Sequence, residues 1–279
     1  MTTTDFKHPK CYANVDGGCS TKISGEHYIS HGLIRLYTFN DDTVRLMHDH
    51  GYGIPHPVSP RQFVANVLCE AHNNGMSDLD TAAINLATFL QSIALRFLGG
   101  AGEWGPDETI RISGDDFERW ALKLLLTHAA VNAFTRDGGG SRITTTIPDD
   151  AVREMLGTNP WPENTGLCVA STPKHRLKFD PFTPVEAITN WWGVTPFHTG
   201  DGILCGGIAE LAGIGFGLSL DTEMRRFPAW IQSENPLRQT ILRPAYMAWQ
   251  LDGVEKRVEF EWADNSPHKS ITYTLIRGD

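Results

Sequence analysis

Four residues in two separated segments have the types and the spacing of a zinc site. Cys11 and Cys19 lie in a glycine-rich loop, and Cys69 and His72 follow in a later segment at C-x2-H spacing. Three thiolates and one imidazole complete the closed, four-coordinate set that structural zinc prefers. A bound ion would tie the two segments together and stabilise a region with little core of its own. The sequence therefore predicts a structural Zn²⁺ site, and the alternative is a set of unrelated cysteines.

The cysteine content of the chain argues against a secreted disulfide framework. Five cysteines are an odd number in a chain of 279 residues, so metal binding or plain burial is favoured. Cys168 and Cys205 lie within apolar runs and outside the zinc pattern. We expect both to be buried and chemically inert.

A second group of polar residues is interleaved with the zinc pattern. Glu26 and His27 stand side by side between the two ligand pairs, and Asn73 directly follows His72. With these residues the sequence resembles the HNH group of ββα-metal nucleases. In that group a short acidic-His dipeptide ends the first strand, and a zinc-binding turn runs into an Asn or His on a helix. The resemblance covers about residues 11–80 and leaves the rest of the chain unassigned.

The resemblance implies metal-dependent hydrolysis of phosphodiester bonds. Such hydrolysis requires an activated water and a divalent ion on the scissile phosphate. His27 is then expected to accept a proton from the water as general base. Glu26 and Asn73 are expected to hold one catalytic divalent ion, Mg²⁺ or Mn²⁺, through oxygen atoms.

The chain departs from the family pattern at several positions. The first cysteine pair encloses seven residues, a wider spacing than the family usually has. Residues 26–30, EHYIS, also lack the proline that the family commonly has after the second Ile-like position. Val64 occupies the usual place of the group that fixes the tautomer of the base, which leaves Asn66 or Asn74 for that role. The segment 48–56, HDHGYGIPH, contains three histidines. They are either a second metal site or ordinary surface and core residues.

Charge and hydropathy restrict the partners of the protein. A net charge of -9 argues against a general DNA coat, so contact with nucleic acid would depend on local basic side chains. Arg119 and Lys123 have helical spacing, and we expect them on the solvated side of an amphipathic helix, with contact to phosphate or a partner as the alternative. The N-terminal segment has no apolar signal core, and no apolar run has the length of a membrane span. A cytoplasmic protein without a membrane partner is expected.

The N-terminal half has the periodicity of packed helices. Apolar residues recur at three and four spacing from Asp78 to Leu98, which predicts a helix that is buried on most sides. Ser77 with Asp80 resembles a capping box at its start. A strand should precede a second helix at about residues 115–134, and a short helix should begin near Pro148.

The C-terminal half has the pattern of strands. Short apolar runs alternate with glycine from about Gly166, and two alternating runs meet at Asp252–Gly253, which predicts a β-hairpin. Residues 158–166 are the predicted linker. The expected fold class is α+β: a zinc-stapled, ββα-metal-like N-terminal region with packed helices, followed by a β-rich half. The predicted domains are a zinc-binding HNH-like domain with a helical extension at 1–157 and a β-rich recognition or partner domain at 166–279.

Two functions remain open at the level of sequence. The first is an HNH-like endonuclease that cuts DNA, with RNA as the second candidate, and whose β-rich half recognises substrate, an activating ligand or a protein partner. The second is a catalytically inactive binding protein in which zinc staples the fold and the β-rich half binds a ligand or protein. A nuclease requires His27 close to Asn73 and accessible to solvent, whereas a binding module requires neither.

Overall fold

The described helices all lie before residue 157 and most of the strands follow residue 165, an arrangement that agrees with the predicted α+β class. A computed structural model describes residues 5–40, 46–48, 56–59, 61, 63–98, 104–134, 142–163, 165–171, 174–177, 192–220, 239–264 and 268–277. The helices are α1 His31–Tyr37, α2 Glu70–Asn74, α3 Ser77–Leu98, α4 Gly114–Ala130 and α5 Asp149–Leu156. The first strands are β1 Glu26–His27, β2 Leu46–His48, β3 His56–Val58, β4 Val64–Ala65, β5 Glu108–Ser113, β6 Gly166–Ser171 and β7 Lys174–Leu177. The later strands are β8 Trp192–His198, β9 Leu204–Leu211, β10 Ile214–Ser219, β11 Gln239–Leu242, β12 Tyr246–Leu251, β13 Val254–Glu261 and β14 Ile271–Arg277.

The chain divides into two compact units. Unit 1 comprises Met1–Ile84, Arg119–Trp161 and Thr195–Cys205, and unit 2 comprises Asn85–Glu118, Pro162–Val194 and Gly206–Asp279. Each unit therefore takes segments from both halves of the chain, whereas the sequence predicted one boundary at residues 158–166. Among the helices that the structure describes, none has the length and apolarity that a membrane crossing would need.

Unit 1 contains two short strands followed by a short helix. β1 pairs antiparallel with β4, so that Glu26 lies opposite Ala65 and His27 opposite Val64. The chain then turns through Cys69 into α2. Most of the histidine-rich segment 48–56 lies outside the described residues, so both of its interpretations remain predictions.

Helix α3 lies where the apolar periodicity of the sequence predicted a helix. Its buried positions include Leu79, Leu86 and Leu90, which follow one another at helical spacing. Ser77 is the first residue of the helix and not its N-cap. Asp80, predicted to cap the helix together with Ser77, instead accepts hydrogen bonds from Lys123 and Ser30.

Helix α4 is more deeply buried than the sequence predicted. Every residue from Trp120 to Ala129 is buried, including Lys123 at 3% exposure. The expectation of a solvated side for Lys123 is therefore wrong, because two carboxylates compensate its charge inside unit 1. The helix ends at Ala130, before the predicted residue 134, and Asn132 adopts a left-handed φ of 52° just beyond its end.

Two five-stranded sheets contain most strands of the C-terminal half. One sheet has the order β11-β6-β10-β9-β8, with antiparallel pairs from β11 to β9. The other has the order β5-β13-β12-β14-β7. It is mixed, because β13 and β12 pair antiparallel, whereas β5 pairs parallel with β13 and β14 pairs parallel with β12. Cys168 and Cys205 are buried, as predicted.

The β12–β13 hairpin forms where the sequence predicted it. Leu251 pairs with Val254 across a two-residue turn. Asp252 and Gly253 have positive φ values of 51° and 87°. Positive φ at both central residues is what a two-residue type I′ hairpin turn requires. Asp and Gly tolerate this conformation better than other residues, so the pair marks the hairpin in the sequence.

Candidate metal centre

A glycine turn brings the first two cysteines together. Gly17 and Gly18 have positive φ values of 80° and 74°, a conformation that other residues rarely adopt. The turn returns the chain so that the Cys19 N–H donates to the Phe6 carbonyl over 3.1 Å. Both Cys11 and Cys19 are buried as a result.

Backbone hydrogen bonds attach the second ligand pair to the same loop. The Ser24 N–H donates to the Leu68 carbonyl over 2.9 Å, and Ile23 forms an antiparallel bridge with Cys69. Cys69 is the N-cap of α2, and its sulfur accepts the backbone N–H of His72 over 3.5 Å. The segment that follows Cys19 in the chain is thereby held against the segment that contains Cys69 and His72.

The four predicted zinc ligands converge on one point. His72 Nδ1 lies 3.4 Å from Cys11 Sγ, 3.7 Å from Cys19 Sγ and 3.3 Å from Cys69 Sγ. The four ligand atoms all lie within 4.8 Å of one another, and none of these cysteines forms a disulfide. Tetrahedral zinc with ordinary Zn–S and Zn–N bonds would separate nitrogen and sulfur by about 3.6 Å. The prediction that these residues come together is confirmed, and the cluster could hold a metal ion such as zinc.

The environment of the cluster controls the protonation of its ligands. Burial raises the pKa of Cys11 to about 12 and also raises the pKa of Cys19. Burial opposes ionisation of Cys69 as well, but hydrogen bonds from the His72 N–H and from Ser20 bring its pKa below the usual value. Burial lowers the pKa of His72, which favours the neutral imidazole that binds metals. Metal binding must displace thiol protons, so it should strengthen as pH rises.

Glu26 lies between a lysine and the predicted catalytic asparagine. It is 6% exposed, and its Oε1 lies 3.0 Å from Lys123 Nζ. Burial raises the pKa of the Glu26 carboxyl, while the charge of Lys123 and a hydrogen bond from the Asn73 side chain oppose that rise. The Asn73 side chain, predicted to share one ion with Glu26, therefore lies near enough to favour the ionised carboxylate.

A buried network that the sequence did not indicate surrounds Glu26. Lys123 Nζ also lies 3.1 and 3.3 Å from the two carboxylate oxygens of Asp80. The Ser30 hydroxyl donates to Asp80, and Trp120 Nε1 donates to the Ser30 oxygen over 3.1 Å. Burial lowers the pKa of Lys123, but the attraction of Asp80 and Glu26 outweighs burial and raises it. Lys123 is therefore charged in the folded protein.

His27 is half-buried beside this network. Its ring stacks on that of exposed His31, with centroids 4.9 Å apart. Burial and the nearby charge of His31 both lower the pKa of His27, so its ring is neutral near pH 7 and able to accept a proton. His27 also lines a small recess of about 10 Å³ together with Glu26, Asp80 and Lys123. That volume has room for about one water-sized group, so it suits a single water or a small ion.

The candidates for fixing the His27 tautomer lie on the surface. Asn66 and Asn74 are both exposed. Within the described part of the chain, neither has a hydrogen bond to His27, so the role remains a prediction for both.

Comparison with known proteins assigns no family to the chain. Models of protein families, curated sequences and solved structures were compared with it, and none of them matches.

Proposed function

We propose that this protein is a metal-dependent, HNH-like endonuclease that hydrolyses phosphodiester bonds of DNA, with RNA as the second candidate substrate. The main support is one juxtaposition in unit 1. The Asn73 side chain on α2, directly after the ligand pair Cys69 and His72, lies near enough to Glu26 to favour its ionised carboxylate, and Glu26 adjoins His27 on β1. The pairing of β1 with β4, and the position of α2 directly after β4, also agree with a ββα-metal site, with α1, β2 and β3 inserted between the two paired strands.

The Cys3His cluster would hold a structural zinc ion. Its soft donors and its nitrogen–sulfur separations of 3.3 to 3.7 Å fit zinc, and four protein ligands leave no position for a reacting water. The role of Cys69 and His72 is then to anchor the start of α2. Because Asn73 is the next residue, the anchored turn fixes the position of its side chain beside Glu26.

The reacting groups would be supplied by Glu26, His27 and Asn73. The Glu26 carboxylate and the Asn73 amide oxygen are hard donors suited to Mg²⁺ or Mn²⁺. When bound, such an ion would supply Lewis-acid activation of the phosphate. Neutral His27 would accept a proton from the attacking water at the edge of the recess that it lines.

Plasmid cleavage with Mg²⁺ and with Mn²⁺ tests the proposal. We expect His27→Ala to reduce cleavage by at least about 100-fold, the usual contribution of a general base. Asn73→Ala should reduce it more weakly. His198→Ala is the matched control, because His198 is also a half-buried histidine of unit 1 whose pKa burial lowers. Equal cleavage by wild type and His27→Ala, at equal zinc content and helix content, would contradict the proposal.

The alternative is a catalytically inactive, zinc-stapled binding module whose β-rich half binds a ligand or a protein partner. The buried ion pair between Glu26 and Lys123 favours it, because the carboxylate already has a cationic partner. A Mn²⁺-binding measurement separates the two functions and does not require the activating ligand or partner of the C-terminal half. The binding module predicts that the protein retains zinc and binds no Mn²⁺ at Glu26.

A further inference from the structure

Lys123 supplies the positive charge that Glu26 needs in the absence of a metal. A buried carboxylate without a partner is strongly destabilising, so the folded chain must compensate Glu26. Lys123 does so over 3.0 Å, from a position on α4 that is itself buried. The ammonium group has a hydrogen bond to each of two carboxylates, which fixes its position at the recess.

The charges around the recess do not balance. Glu26 and Asp80 contribute two negative charges, whereas Lys123 contributes one positive charge. The other described partners of the two carboxylates, Ser30 and Asn73, are neutral. One negative charge therefore remains at a recess that has room for one water-sized group, which is enough for a small ion. A cation that enters the recess is attracted by that excess charge and repelled by Lys123.

We propose that Lys123 is the resident counter-cation of Glu26 and that it thereby sets the affinity of the divalent-ion site, an inference that rests on the proposed function. Lys123 keeps the metal-free site folded and, by the same charge, weakens divalent-ion binding there. At the effective dielectric of a partly buried site, the repulsion between two positive charges this close lowers the affinity for the ion by more than tenfold. Lys123 is in this sense a positioning residue and not a catalytic one.

Mn²⁺ binding to charge variants of the recess tests the inference. Titration of the free-Mn²⁺ electron paramagnetic resonance signal gives the dissociation constant, and elemental analysis checks the zinc content. Lys123→Met should bind Mn²⁺ at least tenfold more tightly than wild type, whereas Asp80→Asn should bind it at least threefold more weakly. Without Mn²⁺, Lys123→Met should also have a lower thermal midpoint than wild type, and Mn²⁺ should raise that midpoint more than in wild type.

The matched control is Lys256→Met. Lys256 is also buried and ion-paired, with Glu108 at 3.0 Å, but it belongs to unit 2 and does not line the recess. Its loss should leave Mn²⁺ affinity unchanged. A merely structural role of Lys123 would not give changes of opposite sign in Lys123→Met and Asp80→Asn.

The outcomes distinguish this inference from the proposed function. Wild-type Mn²⁺ binding that Glu26→Gln abolishes supports the proposed site. If Lys123→Met then binds Mn²⁺ no more tightly than wild type, the inference is overturned and the proposed site remains. If neither wild type nor Lys123→Met binds Mn²⁺, both are overturned. If Lys123→Met does not fold, Asp80→Asn decides, and unchanged affinity in that variant overturns the inference.

Discussion

Removal of zinc should destabilise unit 1 by an amount that follows from the position of the ligands. A zinc ion in the cluster would join Cys19 to Cys69 and so close a loop of about 50 residues, for which the chain-entropy model of cross-links gives roughly 4 kcal/mol. Typical domains have a free energy of unfolding of only about 5 to 15 kcal/mol. Chelation should therefore remove a large part of the stability of the unit.

Urea unfolding followed by circular dichroism, before and after chelation, measures this loss. The effect of chelation is also measured in two cysteine variants and compared with that in wild type. Cys69→Ser removes a ligand of the cluster, so chelation should have little further effect on it. Cys168→Ala changes a buried cysteine of unit 2 outside the cluster and should retain the full chelator effect. A wild-type loss below about 1 kcal/mol after complete zinc removal would refute the cross-link argument, and so would an undiminished chelator effect in Cys69→Ser.

Two further predictions concern buried charges. The Nδ1–H of His128 donates to the Leu124 carbonyl, and burial lowers the His128 pKa to about 4. Because the unfolded chain binds this proton more readily, the free energy of unfolding should be highest above about pH 6.5 and fall by up to roughly 3 kcal/mol as pH decreases to about 4. Urea unfolding across this range should show the loss, and His128→Phe should make the free energy of unfolding less dependent on pH. Arg243 donates to both oxygens of fully buried Glu118 over 3.1 Å. Arg243→Met should cost roughly 3 to 5 kcal/mol in urea unfolding, and a loss below about 1 kcal/mol would contradict a structural role for the pair.

Local signals made several elements predictable. The Ser77–Leu98 helix repeats its apolar spacing over many turns, and Asp252–Gly253 has the residue types that its turn requires. The cluster of three cysteines and one histidine was predictable for a different reason. Soft metal ligands are few in the chain, so Cys11, Cys19 and the Cys69-x2-His72 pair indicate one another even across a long gap.

The network around Lys123 had no comparable signal. Hydrophobic periodicity assigns charged residues to the solvated side of a helix, and it has no means of indicating a partner elsewhere in the chain. Glu26 and Asp80 come from β1 and α3, so only the folded arrangement brings them to Lys123. For the same reason the sequence predicted one boundary between domains, although β5 of the N-terminal half pairs with β13 near the C-terminus.

The pairing of β5 with β13 has a consequence for the biosynthesis of the protein. During translation at about 5 to 20 residues per second, β5 would wait roughly 7 to 30 seconds before β13 has been made. In that time its unpaired backbone groups present an edge that other nascent chains can join. Parallel pairing between such distant segments also forms slowly. The edge of β5 should therefore be most exposed to aggregation during translation, until β13 has been synthesised.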